Sequence, residues 1–196
     1  MFKMYQPGGN LMKKMFLAVA LLMVSLTAMA DSYTIDPKHT FPNFTINHLG
    51  FSTLHGRFDK TTGKITMDRK KGTGSVEVVV DMASVSTGFK KRDEHLKSPD
   101  FFNVAEFPTM TFKSTSVEFK GKGATVTGNL TIKGVTRPVT LAVDSINCGA
   151  NPFSKKEECG FNATTRIKRS DFGIKYGLPA VGDDLDITLE VEAFKN

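Results

Sequence analysis

The sequence predicts an all-β protein: an antiparallel barrel of eight or more strands with a single short helix near residues 88–98. Three observations carry this. After residue 30, apolar and polar residues alternate in short runs, the two-residue period of strands with one buried face. Clusters of Gly, Asn, Asp and Pro punctuate the runs. The runs from Thr109 to Cys148 are long and follow one another as hairpins, which favours a closed barrel, because closure leaves no exposed edge. Eight strands is also the size at which a barrel holds either packed side chains or one small ligand.

The elements follow in order. Ser32–Asp36 is a first short strand, turned by Pro37 and Lys38. Phe41–His48 alternates, Gly50 breaks it, and Leu54–Phe58 resumes it, with Gly56 marking a bulge or a close backbone approach. Asp59–Gly63 reads as a hairpin turn, and Lys64–Asp68 and Ser75–Asp81 make the next pair. The rhythm then stops at Ser86–Asn103. Ser86 or Thr87 can cap a helix start, Lys90/Glu94 and Asp93/Lys97 are spaced as i,i+4 pairs, and Pro99 ends the pattern. Phe101 and Phe102 follow as an aromatic plug across a barrel end. Strands return at Thr109–Phe119, Ala124–Lys133, Val135–Cys148 and around Phe161–Ile167. Tyr176–Pro179 is irregular, and Gly182–Asp184 turns into a last strand through Leu185, Ile187, Leu189 and Val191.

Residues 1–30 stand apart. Lys13 and Lys14 precede a short apolar run that ends in Ala28-Met29-Ala30, the pattern of a secretory signal peptide cleaved after Ala30. The run is short for a membrane span, so stable membrane insertion is not expected. Residues 31–196 are then a single domain in an exported protein, placed in the periplasm by the resemblance below. Without Lys3, Lys13 and Lys14 the net charge drops from +6 to about +3, and no basic stripe interleaved with aromatics offers a nucleic-acid surface. Cys148 and Cys159 lie in the exported part. An oxidising compartment permits a disulfide between them, adding roughly 2–3 kcal/mol; neither their spacing nor a nearby His suggests a redox pair or a metal site.

Several motifs, in this order, resemble the signature of the YceI-like family of bacterial periplasmic proteins. They are FTINH at 44–48, HGRF at 55–58, RDEHLKSPDFF at 92–102, FPTMTF at 107–112, GNLTIKGVTRPV at 128–139 and RSDFGI at 169–174. The resemblance spans 31 to about 194. It implies an extended, lipocalin-like, eight-stranded antiparallel barrel around an elongated apolar cavity. It implies a polyisoprenoid, a quinone-like lipid or a related long-chain amphiphile as the bound partner, with no cofactor required, and a link to envelope stress. The chain departs from the family in its cysteine pair around the 149–158 loop.

The candidate wall residues are Phe44 and Ile46, Met110 and Phe112, Leu130 and Ile132, then Leu141 and Val143, Phe161 and Ile167, Ile187 and Leu189. Periodicity alone favours a solid core built from them, the sign of a structural or stress-protective interaction protein. The resemblance favours a cavity lining. A bulge in any strand would flip the residues beyond it. Phe101 and Phe102 either meet a ligand or form a lid over a dry core. His48 is either a head-group contact or a satisfied structural histidine. Arg92 and His95 either bond a head group or anchor the helix, and Asp100 and Asp171 read as turn caps. The four histidines, His39, His48, His55 and His95, lack the spacing of a preformed metal site. No G-x-S-x-G, nucleophilic Cys with His or Gly-rich phosphate loop is present, and Asp93, Glu94 and His95 point different ways on a helix, so no enzyme is expected. A homodimer through an apolar mouth rim is the protein partner the sequence leaves open.

Overall fold

Residues 1–4 and 30–196 are described in this computed structural model. The expected signal peptide therefore lies outside the described residues except at its two ends. The strands are β1 (Asp31–Ile35), β2 (Phe41–His48), β3 (Ser52–Phe58), β4 (Thr61–Asp68), β5 (Thr73–Asp81), β6 (Val85–Ser86), β7 (Thr109–Lys120), β8 (Gly123–Ile132), β9 (Val135–Ala150), β10 (Glu157–Lys168) and β11 (Val181–Lys195). One helix, α1 (Lys90–Lys97), interrupts them.

These segments occupy eight positions around a closed antiparallel barrel. Three positions are bent strands. β1 and β2 lie end to end along β11, with Ile35 opposite Ala193 and Phe41 opposite Glu190. β3 and β4 form the second position, and β5 and β6 the third: Thr61 faces Val80, and Phe58 faces Val85. From there every strand pairs with the next in sequence, and β11 closes the ring on β1 and β2. Asp59 and Lys60 are thus a corner within one bent strand, not the tip of a hairpin. A hairpin turn and a corner both need a break in the alternation, so the sequence does not separate them.

Three irregularities re-aim side chains. In β7 the register slips between Ser114 and Ser116, so Phe112 before the slip and Val117 and Phe119 after it all turn inward. In β9 it slips near Asp144, so Val143 and Ile146 both face in. In β11 it slips between Val181 and Leu185, so Gly182–Asp184 forms a bulge inside a strand where a turn was expected.

The helix start also differs from the expectation. The N-cap position is Phe89, with no side-chain cap. Instead Asp93 reaches back to accept bonds from the Thr87 backbone N–H, at 2.9 Å, and from its hydroxyl. Lys97 pairs with Glu94 at 3.2 Å, one residue closer than the expected partner.

Candidate functional site

The inward faces surround a hollow, not a solid core: an apolar cavity of about 420 Å3, within the ~300–1,000 Å3 range of small-molecule sites. All the candidate wall residues lie along it: Phe44, Ile46, Met110, Phe112, Leu130, Ile132, Leu141, Val143, Phe161, Ile167, Ile187 and Leu189. His48, Phe101 and Phe102 also line it, at the end where α1 sits. The sequence reading missed the wall supplied by β4 and β5, where Ile65 and Met67, then Val76, Val78 and Val80, alternate toward the cavity. Their two-residue period was legible. Val117, Phe119 and Ile146 were not, because each lies beyond a register slip.

Two glycines let aromatic rings lie flat on the wall. Gly56 is opposite Phe44, and any Cβ there would overlap the Phe44 ring. This is the close approach expected of Gly56, without a bulge. Gly128 gives the Phe112 ring the same room. A run of tilted ring contacts leads from Phe44 to Phe58 at 5.9 Å and on to Phe102 at 5.7 Å.

Polar groups gather at the α1 end, where His48, Arg92, His95, Arg169 and Tyr176 reach the cavity. His95 Nε2 is 2.9 Å from Asp100 Oδ2, so Asp100 orients a histidine rather than capping a turn. The His95 ring stands edge-on to both Phe101 and Tyr176, each at 5.0 Å. Arg92 donates from Nε to Thr87 Oγ1 at 2.7 Å and from Nη2 to the Thr87 carbonyl at 2.6 Å, which ties the helix to the end of β6. Its anchoring role and its place on the wall therefore coexist. Tyr176 is 52% exposed and the His95 side chain 44% exposed, so the cavity reaches solvent here.

Arg169 is 4% exposed. It donates from Nε to the Gly182 carbonyl at 2.8 Å, from Nη2 to that of Val181 at 3.0 Å, and from Nη1 to those of Ile174 at 3.3 Å and Tyr176 at 2.8 Å. One guanidinium thus satisfies four carbonyls of the β11 bulge and the irregular 174–176 segment. Burial lowers its pKa, and Asp183 pulls it back up. Asp183 in turn accepts from the Ser170 N–H at 2.9 Å and its hydroxyl at 2.7 Å.

Two threonines on the wall are each 1% exposed. Thr40 Oγ1 donates to the Glu192 carbonyl at 3.3 Å and accepts from its N–H at 3.2 Å. Thr61 Oγ1 has no hydrogen-bond partner among the protein atoms.

At the far end Tyr33, Cys159 and Ala193 are buried. Tyr33 donates its hydroxyl to Glu157 Oε1 at 3.0 Å; burial first, then Glu157, pushes its phenol up to about 12. Cys148 and Cys159, directly opposite each other on β9 and β10, form a disulfide. Among the described residues one cluster, Asp36, His39 and Glu192, brings potential metal-ligand atoms within 4.8 Å of one another. It lies outside the cavity, and His39 already pairs with Asp36 at 2.8 Å.

Fold and site together define the class: a small closed β-barrel built around an apolar cavity with a polar mouth. Within that class the chain belongs to the YceI-like family, whose YceI-like domain model matches residues 33–193. Among curated relatives, Protein YceI of Escherichia coli is 42% identical over 187 residues, covering 92% of this chain and 97% of that one. UPF0312 protein PA0423 of Pseudomonas aeruginosa is 40% identical over 191 residues, 94% of this chain and 100% of that one. Among solved structures, BcnA of Burkholderia cenocepacia matches with a TM-score of 0.72 at 26% identity, over 81% of this chain and 98% of that one. A Saccharophagus degradans domain described as polyisoprenoid binding and implicated in plant cell wall breakdown shares the fold, at a TM-score of 0.63 and 18% identity, over 84% and 98% of the two chains.

Proposed function

We propose that this chain binds a polyisoprenoid or a related long-chain amphiphile, such as a quinone-like lipid, in the barrel cavity, and that it carries, stores or sequesters the lipid without transforming it. The observation that carries the reading is the continuous apolar wall with its polar groups collected at one mouth. A prenyl chain gains roughly 0.8 kcal/mol for each methylene it removes from water, while His48, Arg92, His95 and Tyr176 stand where a polar head would emerge. The fold shared with a polyisoprenoid binding domain supports the ligand class. Phe101 and Phe102 meet the chain near the mouth, and the paired residues of β2 and β7–β11 enclose its length. The reading extends to an exported protein: cleavage after Ala30 frees one lipid-binding domain, residues 31–196, into the periplasm, where shielding an isoprenoid from water fits a role in envelope stress.

The test is organic extraction of protein purified from cells that export it, followed by mass spectrometry. A long-chain prenyl lipid in near-stoichiometric amount is expected, with a mature chain beginning at Asp31. An extract without lipid, combined with a melting temperature unmoved by added polyprenols or quinones, overturns the proposal.

A further inference from the structure

Beyond the first four residues, the large apolar side chains most exposed among the described residues are Leu49, Phe51, Val79, Phe89, Phe153 and Tyr176. Four of the six sit at the cavity mouth. Leu49 and Phe51 form the β2–β3 turn directly after His48, and the Leu49 N–H donates to the Ala180 carbonyl at 3.1 Å, which ties this turn to the segment bearing Tyr176. Phe89 heads α1.

Tyr176 packs on His95 and Phe101, and Phe89 lies under Arg92, but folding does not account for the exposed Leu49 and Phe51. Phe51 is 90% exposed at the tip of a turn, where small polar residues are the usual choice. The charges around them are equally uneconomical for the fold. Lys90 and Lys91 occupy the first turn of α1, the end at which the helix dipole disfavours cations. Lys175 is exposed beside Tyr176. The acids at this end are already engaged: Asp93 with Thr87, Glu94 with Lys97, and Asp100 with His95.

Apolar prongs set among exposed lysines are the pattern of a protein that rests on an anionic lipid surface, with rings at the headgroup boundary and cations facing the phosphates. We infer that the mouth rim, Leu49, Phe51, Phe89 and Tyr176 with Lys90, Lys91 and Lys175, docks on an anionic bilayer and presents the open cavity to it. The inference rests on the lipid-binding reading, since the docked surface is where a long-chain amphiphile would enter. The opposite end supplies a control: Phe153 is 93% exposed in the β9–β10 loop, where it is the one strongly exposed large apolar side chain among the described residues.

The experiment is vesicle co-sedimentation of the mature chain, residues 31–196, on pure phosphatidylcholine and on mixtures rich in phosphatidylglycerol, at low and high salt. Binding to the anionic vesicles that weakens with salt is expected. Phe51→Asp, and separately Lys90→Glu with Lys91→Glu, are each expected to weaken it about tenfold or more, with unchanged circular dichroism. Phe153→Asp is expected to leave it as in the parent. No binding to anionic vesicles, or equal losses in Phe51→Asp and Phe153→Asp, overturns the inference. So does a concentration-dependent dimer, formed without vesicles and abolished by Phe51→Asp, which would assign the rim to a second copy. Lipid extracted from the same preparations separates the two readings: co-purified lipid without vesicle binding overturns only the docking surface, and vesicle binding without co-purified lipid overturns only the ligand.

Discussion

Replacing Thr61 by Val should stabilise the ligand-free protein, although it alters a residue that is 1% exposed. The Thr61 hydroxyl faces the cavity wall without a protein partner. Desolvating such a group costs about 1–3 kcal/mol in proteins. Val keeps the shape and the β-branched preference of the strand while removing the stranded hydroxyl. A gain of about 1–2 kcal/mol is therefore expected, and for a domain of this size each kcal/mol moves Tm by roughly 2–4 °C. Scanning calorimetry of delipidated Thr61→Val should show a Tm higher by about 2–8 °C. A Tm lower by a similar amount would refute the reasoning, because it would mean that the hydroxyl is satisfied in the free protein. Ligand binding should respond with the opposite sign. A chain carrying an oxygen at this depth gives Thr61 a partner and loses affinity in the Val variant, whereas a pure hydrocarbon of equal length does not.

Other outcomes follow from the mouth and the far end. Arg169→Ala leaves four carbonyls, one buried and three partly buried, without their donor; a loss of at least about 1–3 kcal/mol is expected, read as a lower urea midpoint, and a loss under about 1 kcal/mol would contradict the role assigned to it. Burial pushes the Asp183 carboxyl up, but the two bonds from Ser170 outweigh it and hold the group below its ordinary value. Asp183 therefore adds stability that is complete above the ordinary carboxylate pKa near ~3.9 and disappears as pH falls through the lower folded value. Asp183→Asn should flatten the loss of stability below about pH 4, measured as urea midpoints across pH; an acid limb identical to the parent's would rule this out. Replacing Cys148 and Cys159 by Ser should cost about 2–3 kcal/mol while leaving the lipid content intact, because the bridge lies at the end opposite the mouth. Loss of lipid from a folded double variant would show that the far end also holds the ligand.

Much of the wall was legible in advance because burial on one face of a strand leaves a two-residue signature. Phe44, Ile46, Leu130 and Ile132 illustrate this: each sits in an uninterrupted run and each lines the cavity. Whether such a run fills a core or lines a hollow was not legible from the period, since both bury the same face. The family motifs tipped the reading. The bent strands escaped because a corner at Asp59 and Lys60 uses the same residues as a turn. Val117, Phe119 and Ile146 escaped because one extra residue reverses the face and leaves no mark of its own. Tyr176 and Arg169 escaped for a different reason. Their positions depend on the β11 bulge and on carbonyls brought together by closure, which no local pattern encodes. The helix start was misassigned because Thr87 and Asp93 satisfy each other across a turn that a cap rule does not describe.

The seam where β11 meets β1 and β2 has a consequence for how the molecule is made. The other seven ladders join positions that follow one another along the chain, most of them through short loops of low closure entropy, although the step from β5 to β7 passes through β6 and α1. The last ladder joins the first and last strands of the barrel, with Tyr33 opposite Lys195 and the Asn196 N–H donating to the Ser32 carbonyl at 2.9 Å. It spans nearly the whole domain and closes at the greatest entropic cost. Until it closes, the sheet is an open trough whose apolar side faces water. A chain that lacks its C-terminal strand has no enclosed interior, so under the proposed function retention of a lipid and completion of folding would be one event, with a captured lipid acting as the clasp that favours the closed ring.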